Sequence, residues 1–283
     1  MIFNEPMSGH TSIKAGGCAA AMFYPENPDE MIAAARICRE NDFPFFVVGN
    51  GTNLIVRDEG YGGLIIKTSV MDKIILEDDC AVYAEAGASL SDLCLFAAEN
   101  GLSGLEFASG IPGTVGGAVF MNAGAYDGEI KDAVFSVSVI RTDLKADILD
   151  KGDCSFGYRE SVFKKNGFMI TSASFKLIKG DRAQIIETMA VLNEKRKKSQ
   201  PLEMPSAGSV FKRPLGHFAG KLIAEAGLSG FKIGGAQVSL KHAGFIVNAG
   251  NASAKDILDL ITHIQNEVRS RHGVELVPEP VIL

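Results

Sequence analysis

The placement of glycine limits this chain's fold more than any other feature. Fourteen of its 31 glycines lie between Gly49 and Gly128, and eight of those fall between Gly101 and Gly128. Leu, Ile, Phe and Val are interleaved throughout, so the stretch is neither a low-complexity linker nor a short-period repeat. Glycine set among apolar residues marks tight turns, or places where backbone approaches another group closely. Two loops stand out. One is Val47-Val48-Gly49-Asn50-Gly51-Thr52-Asn53-Leu54-Ile55-Val56. The other is Ala108-Ser109-Gly110-Ile111-Pro112-Gly113-Thr114-Val115-Gly116-Gly117-Ala118, which runs on into Met121-Asn122-Ala123-Gly124-Ala125-Tyr126.

The first loop has the form GxGxxL after an apolar run. A dinucleotide fingerprint needs a third glycine and a following helix. Leu54 takes that glycine's place and β-prone residues follow, which argues against a Rossmann site. Two readings stay open: an ordinary glycine turn, or a nest of backbone N–H groups around a pyrophosphate, with Thr52 and Asn53 adding polar hydrogens. In the second loop, Ile and Val beside turn glycines suggest backbone laid flat against a planar ligand. Two separate nests suit an extended diphosphate better than one. Neither loop contains GxxxxGK, which excludes a phosphate-transferring P-loop.

Around these loops the pattern alternates. Asn27-Pro28-Asp29-Glu30 reads as cap, first-turn proline and acidic start of a helix to about Asn41. Phe45–Val48, Leu54–Val56, Leu64–Lys67, Ile74–Leu76 and Ala81–Ala84 read as short strands. Ser89–Asn100 is a helix closed by Gly101. Strands at Val134–Ile140 and Phe168–Leu177 precede a long helix from near Asp181 to the basic run Lys195–Lys198. Gln200-Pro201-Leu202-Glu203-Met204-Pro205 is the best linker. Beyond it come a helix at 218–226, strands near Ala236–Ser239 and Gly244–Val247, and a last helix. That helix is capped by Ser253, apolar at Ile257, Leu260, Ile261, Ile264 and Val268, and stopped by Gly273. The expected class is α+β, in two parts near 1–200 and 201–283.

Charge and cysteine usage narrow the function. The 28 basic and 34 acidic side chains leave a formal charge of −6, which argues against a general phosphate-backbone binder. The five cysteines are scattered and form neither a disulfide framework nor a CxxC metal site. The five histidines lack zinc-ligand spacing. The start, Met1-Ile2-Phe3-Asn4-Glu5-Pro6, has no signal-peptide character, and no apolar run approaches a membrane span. The expectation is a cytoplasmic protein with no nucleic-acid or membrane partner. Ser209-Val210-Phe211-Lys212 matches SxxK, but Gly208, Pro214 and the missing companion motifs rule out acylation chemistry. Ser209 then reads either as a turn serine or as a proton donor in a glycine-flanked loop. Tyr158-Arg159-Glu160 and Glu279, taken alone, read as surface or salt-bridge residues.

In order and spacing the segments resemble one family almost end to end. They are His10–Gly17, GNGTNLIV at 49–56, GLEFASGIPGTVGGAVFMNAGAY at 104–126, GYRES at 157–161, PSAGSVFKRP at 205–214, GGAQVSLKHAGFIVN at 234–248 and LVPEP at 276–280. The chain is similar to the UDP-N-acetylenolpyruvoylglucosamine reductases, flavoenzymes of bacterial peptidoglycan precursor synthesis, in their compact subtype. The resemblance implies an FAD-binding domain of the vanillyl-alcohol-oxidase type over 1–200, in two lobes split near 70–80. A smaller substrate domain would cover 201–283. It implies FAD held by Gly49, Asn50, Gly51, Thr52, Asn53 and Leu54 on the first loop. Ser109, Gly110, Ile111, Gly113, Thr114, Gly116 and Gly117 would serve on the second, with Ala123, Gly124 and Ile170 nearby.

The implied reaction passes hydride from NADPH, through bound FAD, to the terminal methylene carbon of an enolpyruvyl ether on a UDP-sugar. Arg159 and a protonated Glu279 would polarise the substrate carboxylate, and Ser209 would protonate the adjacent carbon. Tyr158, Lys212, Arg213, Lys221 and His242 are the implied UDP-sugar contacts, and the protein is expected to act as a monomer. The sequence departs from the family pattern at Cys18-Ala19-Ala20-Ala21, at Arg213 where asparagine is usual, and at Glu279-Pro280-Val281. Two other readings are another FAD oxidoreductase of this fold acting on a small hydroxy acid or alcohol, and a non-catalytic flavin- or nucleotide-sugar-binding protein.

Overall fold

A computed structural model describes residues 1–283. The chain divides into two compact units, each assembled from separate stretches. The first comprises Met1, Met22–Asn50 and Gly63–Arg196; the second comprises Ile2–Ala21, Gly51–Gly62 and Lys197–Leu283.

The first unit is built on a five-stranded antiparallel sheet in the order Ala146–Asp150, Val134–Ile140, Met169–Lys176, Ala81–Glu85, Ile74–Asp78. α1 (Pro28–Glu40) starts where the sequence places it, with the Asn27 side chain accepting the Glu30 N–H at 3.0 Å and Pro28 in the first turn. Phe45–Val48 pairs in parallel with Leu64–Lys67. α2 (Leu90–Glu99) is capped by Ser89, and α3 (Val115–Met121) by Thr114. α3 packs on the central strand Met169–Lys176. Two single-turn helices, α4 (Ile130–Ala133) and α5 (Phe163–Asn166), follow. The core gathers Val82, Leu90, Leu93, Val119, Val137 and Phe175, all at most 1% exposed. α6 (Arg182–Ser199) carries the chain out of this unit.

The second unit holds a four-stranded antiparallel sheet ordered Ser206–Ser209, Phe245–Asn248, Ala236–Val238, Lys232–Ile233. α7 (Ala219–Glu225) and α8 (Ala254–His272) complete it, and α8 buries its Ile257, Leu260, Ile261, Ile264 and Val268 stripe. The segments 2–21 and 51–62 fold here for a packing reason. Leu54–Ile55 pairs in parallel with Val281–Ile282, and Ile13, Ala15 and Ile55 belong to this unit's core. Asp58, on the inserted 51–62 segment, accepts the N–H groups of Ala254 and Lys255 at 2.8 Å each, so it caps α8 together with Ser253.

The sequence pattern misses several strands, among them Ile2–Pro6, Cys18–Phe23, Ala146–Asp150 and Ser206–Ser209, as well as helix α3 and the single-turn helices α4 and α5. Cys18-Ala19-Ala20-Ala21 has weak β-propensity, and α3 carries Gly116 and Gly117 in its first turn. Tertiary packing overrides both local signals.

Candidate active site

In the first unit, the two glycine-rich segments meet. A Cβ on Gly49 would collide with the Thr114 side chain, so glycine is required for this approach. The N–H groups of Gly49, Asn50, Gly110, Gly113 and Thr114 donate to no group of the chain. They lie at the Gly49–Thr114 contact and on the loop leading to it. Backbone donors left open beside a close approach fit the diphosphate of FAD, which accepts hydrogen bonds and carries negative charge. Lys67, half-buried, donates from Nζ to the Gly49 carbonyl at 2.8 Å. Burial pulls its ammonium below the ordinary lysine range. Sequence reading passed over Lys67; its one signal was a lysine closing an apolar strand.

Not every expected cofactor residue offers its backbone. At the start of α3, Val115 donates to the Ala88 carbonyl, Gly116 to the Ala86 carbonyl and Gly117 to Thr114 Oγ1. Gly116 is glycine because a Cβ there would stand 2.9 Å from that of Ala86. Ser109 Oγ donates to the Glu106 carbonyl at 3.0 Å. Ile111 packs against the core, and Ile170 is buried in it. Ala123 accepts the Ile130 N–H.

Arg159 sits on a strained turn in the same unit. Its φ is +55°, which costs a residue with a side chain about 1–2 kcal/mol. Three contacts hold it there. Its guanidinium donates to the Gly124 carbonyl at 2.8 Å, its carbonyl accepts Lys164 Nζ at 3.1 Å, and Gly157 and Glu160 bridge the turn. The guanidinium also lies 5.2 Å from the Tyr158 ring. Beneath the turn is Asn122, fully buried, with a left-handed φ of +42° at the end of α3. Its amide donates to the Gly157 carbonyl at 2.8 Å and to Glu129 at 3.1 Å, while its oxygen accepts the Lys131 N–H at 3.0 Å. Asn122 lies in the MNAGAY run, where no local sequence signal assigns it a role. Backbone strain held in place by polar contacts makes Arg159 a candidate site residue.

In the second unit, Ser209 ends a strand; the sequence placed it in a loop. Ser206 pairs with Val247 and Ser209 with Phe245, so the Ser206–Ser209 strand carries one extra residue. Gly208, at φ +78°, takes up this bulge, which re-aims the serine. Ser209 Oγ donates to the Phe211 carbonyl at 3.4 Å, a weak bond easily exchanged for a better acceptor. One residue on, the Val210 carbonyl accepts the Glu279 N–H at 2.8 Å. The Glu279 carbonyl accepts the side-chain amide of Asn53 at 3.3 Å, and Asn53 in turn accepts the Val281 N–H at 3.0 Å. Pro280 therefore costs no bond here, because its two neighbours supply the donors. The structure ties Asn53 to the segment from Glu279 to Val281, while Gly51 is packed so that a Cβ would meet the His10 carbonyl.

The remaining expected residues of this unit are spread. Lys212 donates its N–H to the Val277 carbonyl at 2.9 Å, and the Arg213 guanidinium lies 4.7 Å over the Phe218 ring. Lys221 pairs with Glu225 at 3.8 Å on the outer face of α7, whose Ala219, Leu222 and Ile223 are buried. His242 is half-buried beside Gly244.

Residues 200–283 match the UDP-N-acetylenolpyruvoylglucosamine reductase, C-terminal domain, and residues 19–143 match an FAD binding domain. A UDP-N-acetylenolpyruvoylglucosamine reductase of Clostridium botulinum is 48% identical over 280 residues, which is 99% of this chain and 92% of the relative. The chain belongs to the UDP-N-acetylenolpyruvoylglucosamine reductase family. Another member, from Caldanaerobacter subterraneus, is 47% identical over 279 residues, covering 99% of this chain and 92% of its own. The crystal structure of the family member from Thermus caldophilus superposes with a TM-score of 0.85 at 36% identity, covering 98% of this chain and 96% of that one. The FAD binding domain match spans both Gly49 and Thr114.

Proposed function

We propose that the protein reduces UDP-N-acetylglucosamine enolpyruvate to UDP-N-acetylmuramate with NADPH, and that Arg159, Ser209 and Glu279 are its catalytic residues. The observation that carries the residue assignment is the Ser209 bulge, which leaves a weakly held hydroxyl one residue from Val210, whose carbonyl accepts the Glu279 N–H. When bound, FAD supplies a two-electron carrier between NADPH and the enol ether. Reduction at the terminal carbon builds negative charge beside the substrate carboxylate. Arg159, whose geometry is set by Gly124 and Asn122, supplies a fixed cation for that charge, and Glu279 supplies a hydrogen bond to the same carboxylate. The Ser209 hydroxyl delivers the proton. Tyr158, Lys212, Arg213 and Lys221 are proposed to surround the UDP-sugar, whereas His242 is turned to the Gly244 backbone and given no substrate contact.

The accompanying division of labour gives FAD to the 1–200 region and substrate to 201–283, with 2–21 and 51–62 folding alongside the latter. No helix is long and apolar enough to cross a membrane. We place the reaction in the cytoplasm and take the protein to act as a monomer.

The test is anaerobic and in two steps. NADPH should bleach the flavin of the purified yellow protein, and the enolpyruvyl UDP-sugar should restore its colour where hydroxy acids do not. Ser209→Ala should leave the bleaching step unchanged and slow the recovery by orders of magnitude. A Ser209→Ala enzyme slowed equally in both steps would refute the proton-donor role.

A further inference from the structure

An imidazole stands behind the Ser209 strand. Phe245 is the register partner of Ser209, and the N–H of Val210 donates to the Gly244 carbonyl at 2.9 Å. Gly244 donates its own N–H to His242 Nδ1 at 3.1 Å. The turn that carries His242 is closed from both sides. Ser239 Oγ accepts the N–H groups of Lys241 at 3.1 Å and His242 at 3.3 Å, and the His242 carbonyl accepts the Phe245 N–H at 2.9 Å. A Cβ on Gly244 would lie 2.9 Å from His242 Cε1 and 3.6 Å from Ser209 Oγ, so ring and hydroxyl flank the same glycine. Gly220, in the first turn of α7, lets the ring approach: a Cβ there would lie 3.2 Å from Cε1. Phe245 packs on the ring edge-to-face at 5.0 Å.

We propose that His242 is a positioning residue for Ser209, acting through Gly244, an inference that rests on the proton-donor reading of Ser209. Because Nδ1 accepts the Gly244 N–H, the ring's own proton sits on Nε2 and the imidazole is neutral. Burial holds its proton affinity below the ordinary histidine range, which favours that form. The histidine exchanges no proton with substrate. Its work is to fix the backbone of Gly244, whose N–H the ring holds, whose carbonyl anchors Val210 and whose bare α-carbon lies beside the serine. Without an acceptor at Nδ1 the Gly244 backbone can shift at its φ and ψ, and a donor displaced by about 1 Å can lose up to about 100-fold in rate.

The experiment measures both half-reactions, substrate affinity and flavin content in the holoenzyme for His242→Ala, His242→Asn and Ser209→Ala. His242→Ala should slow reoxidation by saturating enolpyruvyl UDP-sugar about tenfold or more, with reduction by NADPH, flavin content and substrate Kd unchanged. His242→Asn, whose Oδ1 can replace Nδ1 as acceptor, should recover most of that loss. A His242→Ala enzyme with weakened substrate binding and a normal saturated rate would make His242 a substrate contact and overturn the proposal. Equal loss in both half-reactions would overturn it in favour of general support of the fold. A slow Ser209→Ala beside an unaffected His242→Ala would sink the His242 link alone, whereas a normal Ser209→Ala would remove the donor and overturn both. If His242→Ala yields no soluble protein, His242→Gln decides against His242→Asn. Only asparagine puts an acceptor at the Nδ1 position, so equal rates for the two would overturn the proposal.

Discussion

The side-chain amide of Asn53 donates to the backbone carbonyl of Glu279 across 226 positions of sequence, at 3.3 Å. The backbone carbonyl of the same residue accepts the N–H of Val281, so Asn53 holds the chain on both sides of Pro280. Asn53→Ala removes the side-chain bond and keeps the backbone one. We expect a loss of about 1 kcal/mol in stability. Reoxidation of the reduced flavin by substrate should fall by about tenfold, more than the fall in its reduction by NADPH. Stopped-flow measurement of the two steps checks the asymmetry, and equal losses would count against a role in placing Glu279.

Gly49→Ala should act on the cofactor. The added methyl runs into the Thr114 side chain, and the two glycine loops must separate to admit it. Overpacking of this kind costs about 1–3 kcal/mol, equivalent to roughly a tenfold or greater loss of FAD affinity. Flavin content on purification and the Kd for reconstituting apoprotein with FAD report it directly.

Asn122→Ala should damage the Arg159 turn and the fold together. It strips three hydrogen bonds from a fully buried site and leaves alanine at a left-handed φ. The expected cost is about 2–4 kcal/mol in thermal or denaturant unfolding. Asn122→Gly relieves the backbone strain alone and should recover only a minor part.

Asp256 makes stability depend on pH in the acid range. The Gly235 N–H, then the Ser253 N–H, hold its carboxyl below the ordinary value of 3.8. A carboxylate depressed in the folded state stabilises fully above its unfolded pKa, and that contribution disappears as pH falls through the lower folded value. Melting temperature should therefore decline below about pH 4, with Asp256→Asn showing a lower plateau and a shallower decline. An identical acid slope in wild type and variant would exclude Asp256 as a source.

Much of this protein is written in short-range chemistry. Asn27 with Pro28, Ser89 before α2, and Ser253 with Asp256 and Gly273 around α8 all act within a few residues, and the structure places those helices where the caps predict. The glycine clusters marked the two loops as sites of close approach for the same reason, since a missing Cβ is a local property. What surrounds each loop was legible only through family resemblance, or not at all. Local reading had no means of pairing Gly49 with Thr114, Asn53 with Glu279, or Asn122 with the Arg159 turn. Nor could it foresee α3, whose first-turn glycines work against a helix until Ala86 and the central strand pack on it. Ser209 shows the division most plainly. Its glycine neighbour announced an irregular backbone, but the bulge that aims the hydroxyl exists only because Phe245–Asn248 pairs alongside and counts one residue fewer. The sequence by itself determined where the chain turns, caps and leaves room. The tertiary structure decided which of those places meet, because hydrogen bonds and steric fit between distant segments exist only once packing has brought them within a few ångströms.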